Sequence, residues 1–450
     1  MSKDFFKLKR NEKSALVLGG GGARGSFEIG VWKALKELDF VPNIITGTSV
    51  GALNGALMLQ GKVEDAETMW KDIEGSSILD YEFPMSIDSF NEYQRTLGFF
   101  FVKAIGSKGL SSKPLKNLIS EYITDEAAIR ESSIDFGLSV TNDDTGEIEF
   151  FYLKDIPENR LKEYLLASAS LYPAMEKTII DGTPYMDGGY KNNIPYDMVI
   201  ERKPDKMIVV DLQGPGLFSV DHRVDTVPTV WIRTQWSLGD LLLFNKKRTS
   251  LNIKLGYLET MKRANRYEGF WYTFDKESIK RDYQTFYQSL NKLMQSQDLD
   301  GLERFLEDEE YQVNMIGEIS NKWGKNVSYK SLSLAVMELA GKCFGLLPEE
   351  AYEAEPFQKE IIARVQRLTN EGTFSELVPE FHLSGIEWAE NIKENVPLLS
   401  DRQMTLFIYN TIKNTSNDLS NILSKMAASI KPFPFILALY ILYLEDKYHL

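Results

Sequence analysis

Cysteine is close to absent from this 450-residue sequence, and the lone Cys343 has no partner for an intramolecular disulfide. A reducing, cytoplasmic compartment is expected, with peripheral contact to a membrane left open. The charged start Met1-Ser2-Lys3-Asp4 lacks the apolar core of a secretory signal. Histidine is also scarce: His222, His382 and His449 are the whole supply of imidazole for acid–base chemistry. Long apolar runs are missing. No stretch reaches the roughly 20 apolar residues that cross a bilayer, and the nearest, residues 432–444, reads as a helix, apolar on most sides, that docks into a core. Positive charge is in deficit, 51 Lys and Arg against 65 Asp and Glu, for a net charge of −14. Like charge repels at a nucleic-acid backbone and at an anionic membrane, so both a nucleic-acid partner and adsorption by a basic face are disfavoured. Neutral or zwitterionic partners fit better. Internal repeats and low-complexity linkers are lacking too, and nothing reports an oligomeric state.

What is present, 43% hydrophobic and 26% charged residues, is the composition of an ordinary globular protein long enough for two domains. Residues before Ser14 read as a polar arm. An apolar run, Ala15-Leu16-Val17-Leu18, then leads into Gly19-Gly20-Gly21-Gly22-Ala23-Arg24-Gly25, and a second, Ile44-Ile45, into Gly47-Thr48-Ser49-Val50-Gly51. Helical spacing follows each cluster (Phe27, Val31 and Leu35; then Leu53, Ala56 and Leu57), so both are strand–turn–helix units. Helices are expected over residues 63–73, 113–123 and 159–170, and buried strands over 207–211 and 230–232. Residues 134–152 form a hairpin that turns at Asn142-Asp143-Asp144-Thr145-Gly146. This acidic cluster lacks the spaced ligands and closing glutamate of a calcium loop, so no metal is assigned. Leu97-Gly98-Phe99-Phe100-Phe101-Val102 sets three phenylalanines side by side, more than one face of a helix or strand can hold. Burial is their expected fate, with exposure at a lipid-facing mouth the alternative. Strands alternating with helices imply a mostly parallel, three-layer α/β sheet, and helical spacing takes over after about Asp240. A domain boundary is expected between Glu268 and Asp275.

Both glycine turns leave backbone N–H groups at a helix N-terminus, where negative charge is favoured. The first fits G-x-G-x-x-G as Gly20, Gly22 and Gly25, a pattern that can cradle a pyrophosphate. A dinucleotide site also needs an acid at the end of the second strand to hold a ribose, and Thr46-Gly47-Thr48-Ser49 offers none. A nucleotide-binding oxidoreductase is thereby demoted. The second turn fits G-x-S-x-G, a nucleophile elbow in which Gly47 and Gly51 let Ser49 project from a tight bend. An α/β-hydrolase order of Ser49, Asp187 and His222 is formally available, but only one strand precedes this elbow, and Asp221-His222-Arg223 reads as a solvated loop. A catalytically silent lipid-binding protein remains a further reading.

These residues resemble the patatin-like phospholipase family. Gly20-Gly21-Gly22-Ala23-Arg24-Gly25 is similar to its oxyanion motif, Gly47-Thr48-Ser49-Val50-Gly51 to its elbow, and Asp187-Gly188-Gly189 to its D-G-[GA] motif. Supporting matches are Ala167-Ser168-Ala169-Ser170 ahead of Pro173, Asn193-Ile194-Pro195, and Gly256-Tyr257; Leu171-Tyr172 stands where a smaller residue often precedes the proline. The resemblance implies a three-layer α/β/α patatin-like domain over residues 12–268, after an arm at 1–11 and before a mainly helical region at 269–450. It further implies a Ser-Asp dyad without histidine: Ser49 as nucleophile, Asp187 as base, and the backbone of Gly20, Gly21, Gly22 and Ala23 as oxyanion hole. Arg24 either touches a lipid phosphate or pairs with an acid such as Glu28. The implied activity is phospholipase A-type hydrolysis of phospholipid esters from a membrane or micelle, without a cofactor. A neutral-lipid or lysophospholipid esterase or thioesterase of the same mechanism is the alternative.

Overall fold

A computed structural model describes residues 5–81, 90–217, 222–280, 308–328, 331–370, 400–414 and 431–450. The chain divides into two compact units, Met1–Arg266 and Tyr267–Leu450. The first is built on an eight-stranded sheet. Its strands are β1 (Ser14–Leu18), β2 (Ile44–Thr48), β3 (Asp135–Asn142), β4 (Ile148–Tyr152), β5 (Thr178–Ile180), β6 (Thr183–Asp187), β7 (Lys206–Val210) and β8 (Thr229–Ile232). They lie in the order β5-β6-β3-β2-β1-β7-β8, with β4 also paired to β3. The five from β3 to β8 along this order run parallel, whereas β4 and β6 pair antiparallel to β3 and β5 antiparallel to β6.

Every residue of β1, β2 and β7 is buried, as expected of central strands covered on both faces. Period-two alternation sends Leu16, Leu18, Ile208 and Val210 to one side and Ala15, Val17, Met207 and Val209 to the other. The first side carries α1 (Ser26–Glu37), α2 (Val50–Leu59), α3 (Val63–Asp72), α4 (Phe90–Gly106), α5 (Lys113–Tyr122), α6 (Glu126–Glu131) and α7 (Leu161–Ser168). The second side is covered by α8 (Tyr196–Glu201), through Tyr196, Val199 and Ile200. The long helix α9 (Lys246–Arg263) packs on α1. Gly30 and Gly256 make that crossing possible: a Cβ on either would lie 1.9 Å from a carbonyl oxygen of the other helix, Ile253 O or Phe27 O.

Two expectations are corrected. Residues 5–13 are not a purely polar arm: Phe6 is buried, and the buried Lys206 donates to the carbonyls of Phe5 at 2.7 Å and Lys7 at 2.8 Å while pairing with Glu12. The adjacent phenylalanines are not uniformly buried, because they lie on the helix α4, which turns about 100° per residue. Phe100 is fully buried, while Phe99, Phe101 and Val102 are exposed. The second unit is mainly helical among its described residues, as expected, and the short strands β9 (Thr273–Phe274) and β10 (Ala351–Tyr352) pair in parallel within it. Within that unit the helix Pro432–Tyr448 is buried from Phe433 to Glu445. Among the described residues no helix is long and apolar enough to cross a membrane.

Candidate active site

β2 ends at Thr48 and α2 begins at Val50, so Ser49 alone reverses the chain direction. It does so at φ 56° and ψ −125°, a positive φ that costs a non-glycine residue on the order of 1–3 kcal/mol. Its neighbours must be glycine. A Cβ on Gly47 would lie 2.4 Å from the Gly51 carbonyl group, and one on Gly51 would lie 2.5 Å from Leu18 O. The Ser49 N–H donates to Ser168 Oγ at 3.0 Å, and that hydroxyl donates to Ser139 O at 2.8 Å. Ser168, at the end of α7, thus holds the strained turn from outside, a role its place in Ala167-Ser168-Ala169-Ser170 did not disclose.

Register explains how Asp187, so distant in sequence, reaches this turn. The last residue of β2, Thr48, pairs with Ser139 on β3, and the next residue of β3, Val140, pairs with Asp187 at the end of β6. β6 therefore takes up the edge of β3 where β2 leaves it. Ser49 and Asp187 meet end to end, both buried and both lining one cavity, with the Ser49 hydroxyl near enough to favour the charged Asp187 carboxylate. The Gly189 N–H donates to Asp187 Oδ1 at 2.8 Å. Gly188 must be small, because a Cβ there would lie 2.4 Å from Ser139 Oγ. Burial pushes the Asp187 carboxyl up to about 6, against the lowering effect of the bonds from Ser49 and Gly189.

The glycine loop after β1 lies against the same turn. Two of the four expected oxyanion donors are corrected here. The Gly20 N–H is committed to Asn193 O at 2.9 Å and the Ala23 N–H to Leu241 O at 2.8 Å. Gly21 and Gly22 remain, and both line the cavity that contains Ser49. Asn193 ties the parts together: its Nδ2 donates to Gly20 O at 3.2 Å, and it faces Gly189, where a Cβ would lie 2.9 Å from Asn193 Oδ1. Arg24 does not pair with Glu28. Its Nε donates to Gly239 O at 2.8 Å and its Nη1 to the carbonyls of Leu212 and Gln213, so it buttresses the loop from behind.

Ser49 and Asp187 open onto a cavity of about 750 Å³. Its wall is mostly apolar and includes Leu53, Leu57, Trp70, Phe101, Leu115 and Ile119, with Tyr172 and Pro173 on another side. Beneath it, Asn54 donates to Glu28 Oε2 at 2.7 Å and to Gly25 O at 3.0 Å, and accepts from Trp70 Nε1 at 3.0 Å. Burial pushes Glu28 up to about 8. Of the histidines, His222 and His449 are exposed, His222 is absent from the cavity wall, and His382 lies outside the described residues.

A strained serine, a buried aspartate and a glycine loop therefore converge on one apolar cavity, and residues 16–200, which contain both Ser49 and Asp187, match the family described as patatin-like phospholipase. Those residues are similar to a patatin-like phospholipase domain. The chain is 29% identical over 247 residues to patatin-like phospholipase domain-containing protein 7 of Rattus norvegicus, a match covering 51% of this chain and 16% of that protein. It is 28% identical over 213 residues to lysophospholipase NTE1 of Coccidioides immitis, covering 46% of this chain and 12% of that protein. The chain thus spans well under a fifth of these relatives. Among solved structures it is similar to VipD from Legionella pneumophila, at a TM-score of 0.33 and 13% identity, over 97% of this chain and 92% of that one. The glycine loop, elbow and Asp187 turn lie within the matched residues; Leu212, Leu217 and Leu241, which pack around the loop and cavity, come from beyond them.

Proposed function

We propose that this chain is a serine lipid acyl hydrolase, cleaving fatty-acyl esters of phospholipids presented by a membrane or micelle. The observation that carries this reading is the convergence of the strained Ser49 and the buried Asp187 at the head of one apolar cavity. In the reaction, Asp187 takes the Ser49 proton as Oγ attacks the ester carbonyl carbon. The N–H groups of Gly21 and Gly22 receive the developing oxyanion; losing one such donor typically raises a barrier by on the order of 3 kcal/mol. The carbonyl–oxygen bond to the leaving group then breaks, and the protonated Asp187 returns its proton to the departing alcohol. Water attacks the acyl-serine, again giving its proton to Asp187, and the fatty acid and free Ser49 are restored. No cofactor enters these steps. A cavity of this size lies within the range of about 300–1,000 Å³ usual for small-molecule sites, and its lining suits an acyl chain.

Labelling by a fluorophosphonate tests the nucleophile: wild type is expected to react, Ser49→Ala not at all, and Asp187→Asn at least about a thousandfold more slowly. Equal labelling of all three proteins rules the dyad out. The name of the fungal relative favours a lysophospholipid as a second substrate reading. Mass spectrometry of fatty acid released from diacyl and monoacyl phosphatidylcholine distinguishes the two.

A further inference from the structure

The acidic chain contains a long segment of opposite character. Between Glu92 and Glu121 there is no Asp or Glu, yet Arg95, Lys103, Lys108, Lys113 and Lys116 all fall there. All five are exposed. Among the described residues none of them is paired with a carboxylate, and Lys103 lies over the ring of Tyr81 at 5.1 Å. The same segment carries α4, which buries Phe100 and Ala104 and turns Phe99, Val102 and Ile105 outward at 67%, 73% and 61% exposure. These three recur at every third position and share one helix face. Phe101 stands between that face and the interior: it is 39% exposed and also lines the cavity that holds Ser49, as do Leu115 and Ile119 of α5.

We infer that α4 and the cations around it are a docking surface for an anionic phospholipid membrane, an assignment that rests on reading the cavity as a lipid acyl site. Apolar side chains on such a helix enter the boundary between head groups and acyl chains, while flanking cations attract anionic head groups. The net charge of −14 repels the same membrane, but charges separated by more than about 8 Å are largely screened at physiological salt, so the local cluster decides which face approaches. Phe101 then connects the membrane surface to the cavity, giving a lipid chain an apolar route toward Ser49. A second copy of this chain fits the face poorly, because a two-fold contact would set the five cations against their own copies. The expectation drawn from net charge alone weighs against such docking, and the vesicle measurements below decide between the two.

The test uses the full chain carrying Ser49→Ala, which leaves the lipid intact, sedimented with phosphatidylcholine vesicles that contain or lack phosphatidylserine. Binding is expected to be at least about tenfold tighter with phosphatidylserine and to weaken with salt. Adding Phe99→Asp with Val102→Asp should weaken binding at least about tenfold on either vesicle. Adding Arg95→Glu with Lys108→Glu should weaken it at least about twentyfold on the anionic vesicles and little on the others, since each cation near such a surface contributes about fivefold. Made with Ser49 intact, both double variants should hydrolyse a soluble short-chain ester at the wild-type rate, which establishes that they fold. Vesicle binding unchanged in both double variants overturns the assignment. So does a dimer, seen by sedimentation velocity, that Phe99→Asp with Val102→Asp dissociates. Should wild type fail to cleave the soluble ester, the hydrolase reading falls while the vesicle measurements still decide the docking surface.

Discussion

Asp187 must be ionised to take the Ser49 proton, yet burial pushes its carboxyl up to about 6. With Asp187 in the proposed role, kcat/KM on a soluble ester should fall about tenfold per pH unit below about pH 6. A flat profile down to pH 4 would remove Asp187 from that role. The same shift bears on stability. The folded pKa lies above the ordinary 3.8, so between roughly pH 4 and 6 the folded state holds the proton more tightly than the unfolded one, and stability declines as pH rises through this window. Asp187→Asn is therefore expected to raise stability by about 1–3 kcal/mol at pH 8, with the gain shrinking toward pH 4, as read by urea denaturation at the two pH values. A loss of stability at pH 8 would mean that the bonds from Ser49 and Gly189 outweigh the desolvation of the charge. Both motif residues were legible as types in a pattern, but the pKa was not, because burial comes from elements far away in the chain.

At the scale of elements, the strained bend between β2 and α2 persists because its surroundings hold it. Ser168→Ala removes the acceptor of the Ser49 N–H and leaves that group buried and unpaired, at a cost of about 1–3 kcal/mol in stability. Turnover should fall as well, since the displaced Oγ loses its line to Asp187; an unchanged kcat would show that the glycines alone set the turn. The crossing of α1 and α9 is similarly demanding. Gly256→Ala would force a Cβ to within 1.9 Å of Phe27 O, and the expected loss is about 2–4 kcal/mol by thermal or urea unfolding. Apolar spacing announced these helices, and the glycine-rich motif announced the loop. The commitment of the Gly20 and Ala23 N–H groups to Asn193 and Leu241 could not be read in advance, because both partners lie far along the chain.

At the scale of the molecule, every residue lining the cavity lies in the first unit, Met1–Arg266, which has its own sheet and core. Residues 1–266 expressed alone are accordingly expected to fold and to keep fluorophosphonate labelling at Ser49, measured beside the full chain. Loss of labelling in a cooperatively folding fragment would assign the second unit a part in the site. Composition described this molecule poorly where it mattered: a net charge of −14 concealed a segment with five cations and no acid. The sequence by itself determined the alternation of strands and helices, the two glycine turns and the order in which Ser49 and Asp187 follow them, because period, glycine placement and motif order are local properties. Only the tertiary structure decided that β6 takes the edge of β3 that β2 vacates, which brings Asp187 to Ser49. It also decided which loop N–H groups stay uncommitted and which phenylalanines of α4 face outward. Each of these depends on contacts between residues tens to hundreds of positions apart, which local spacing does not encode.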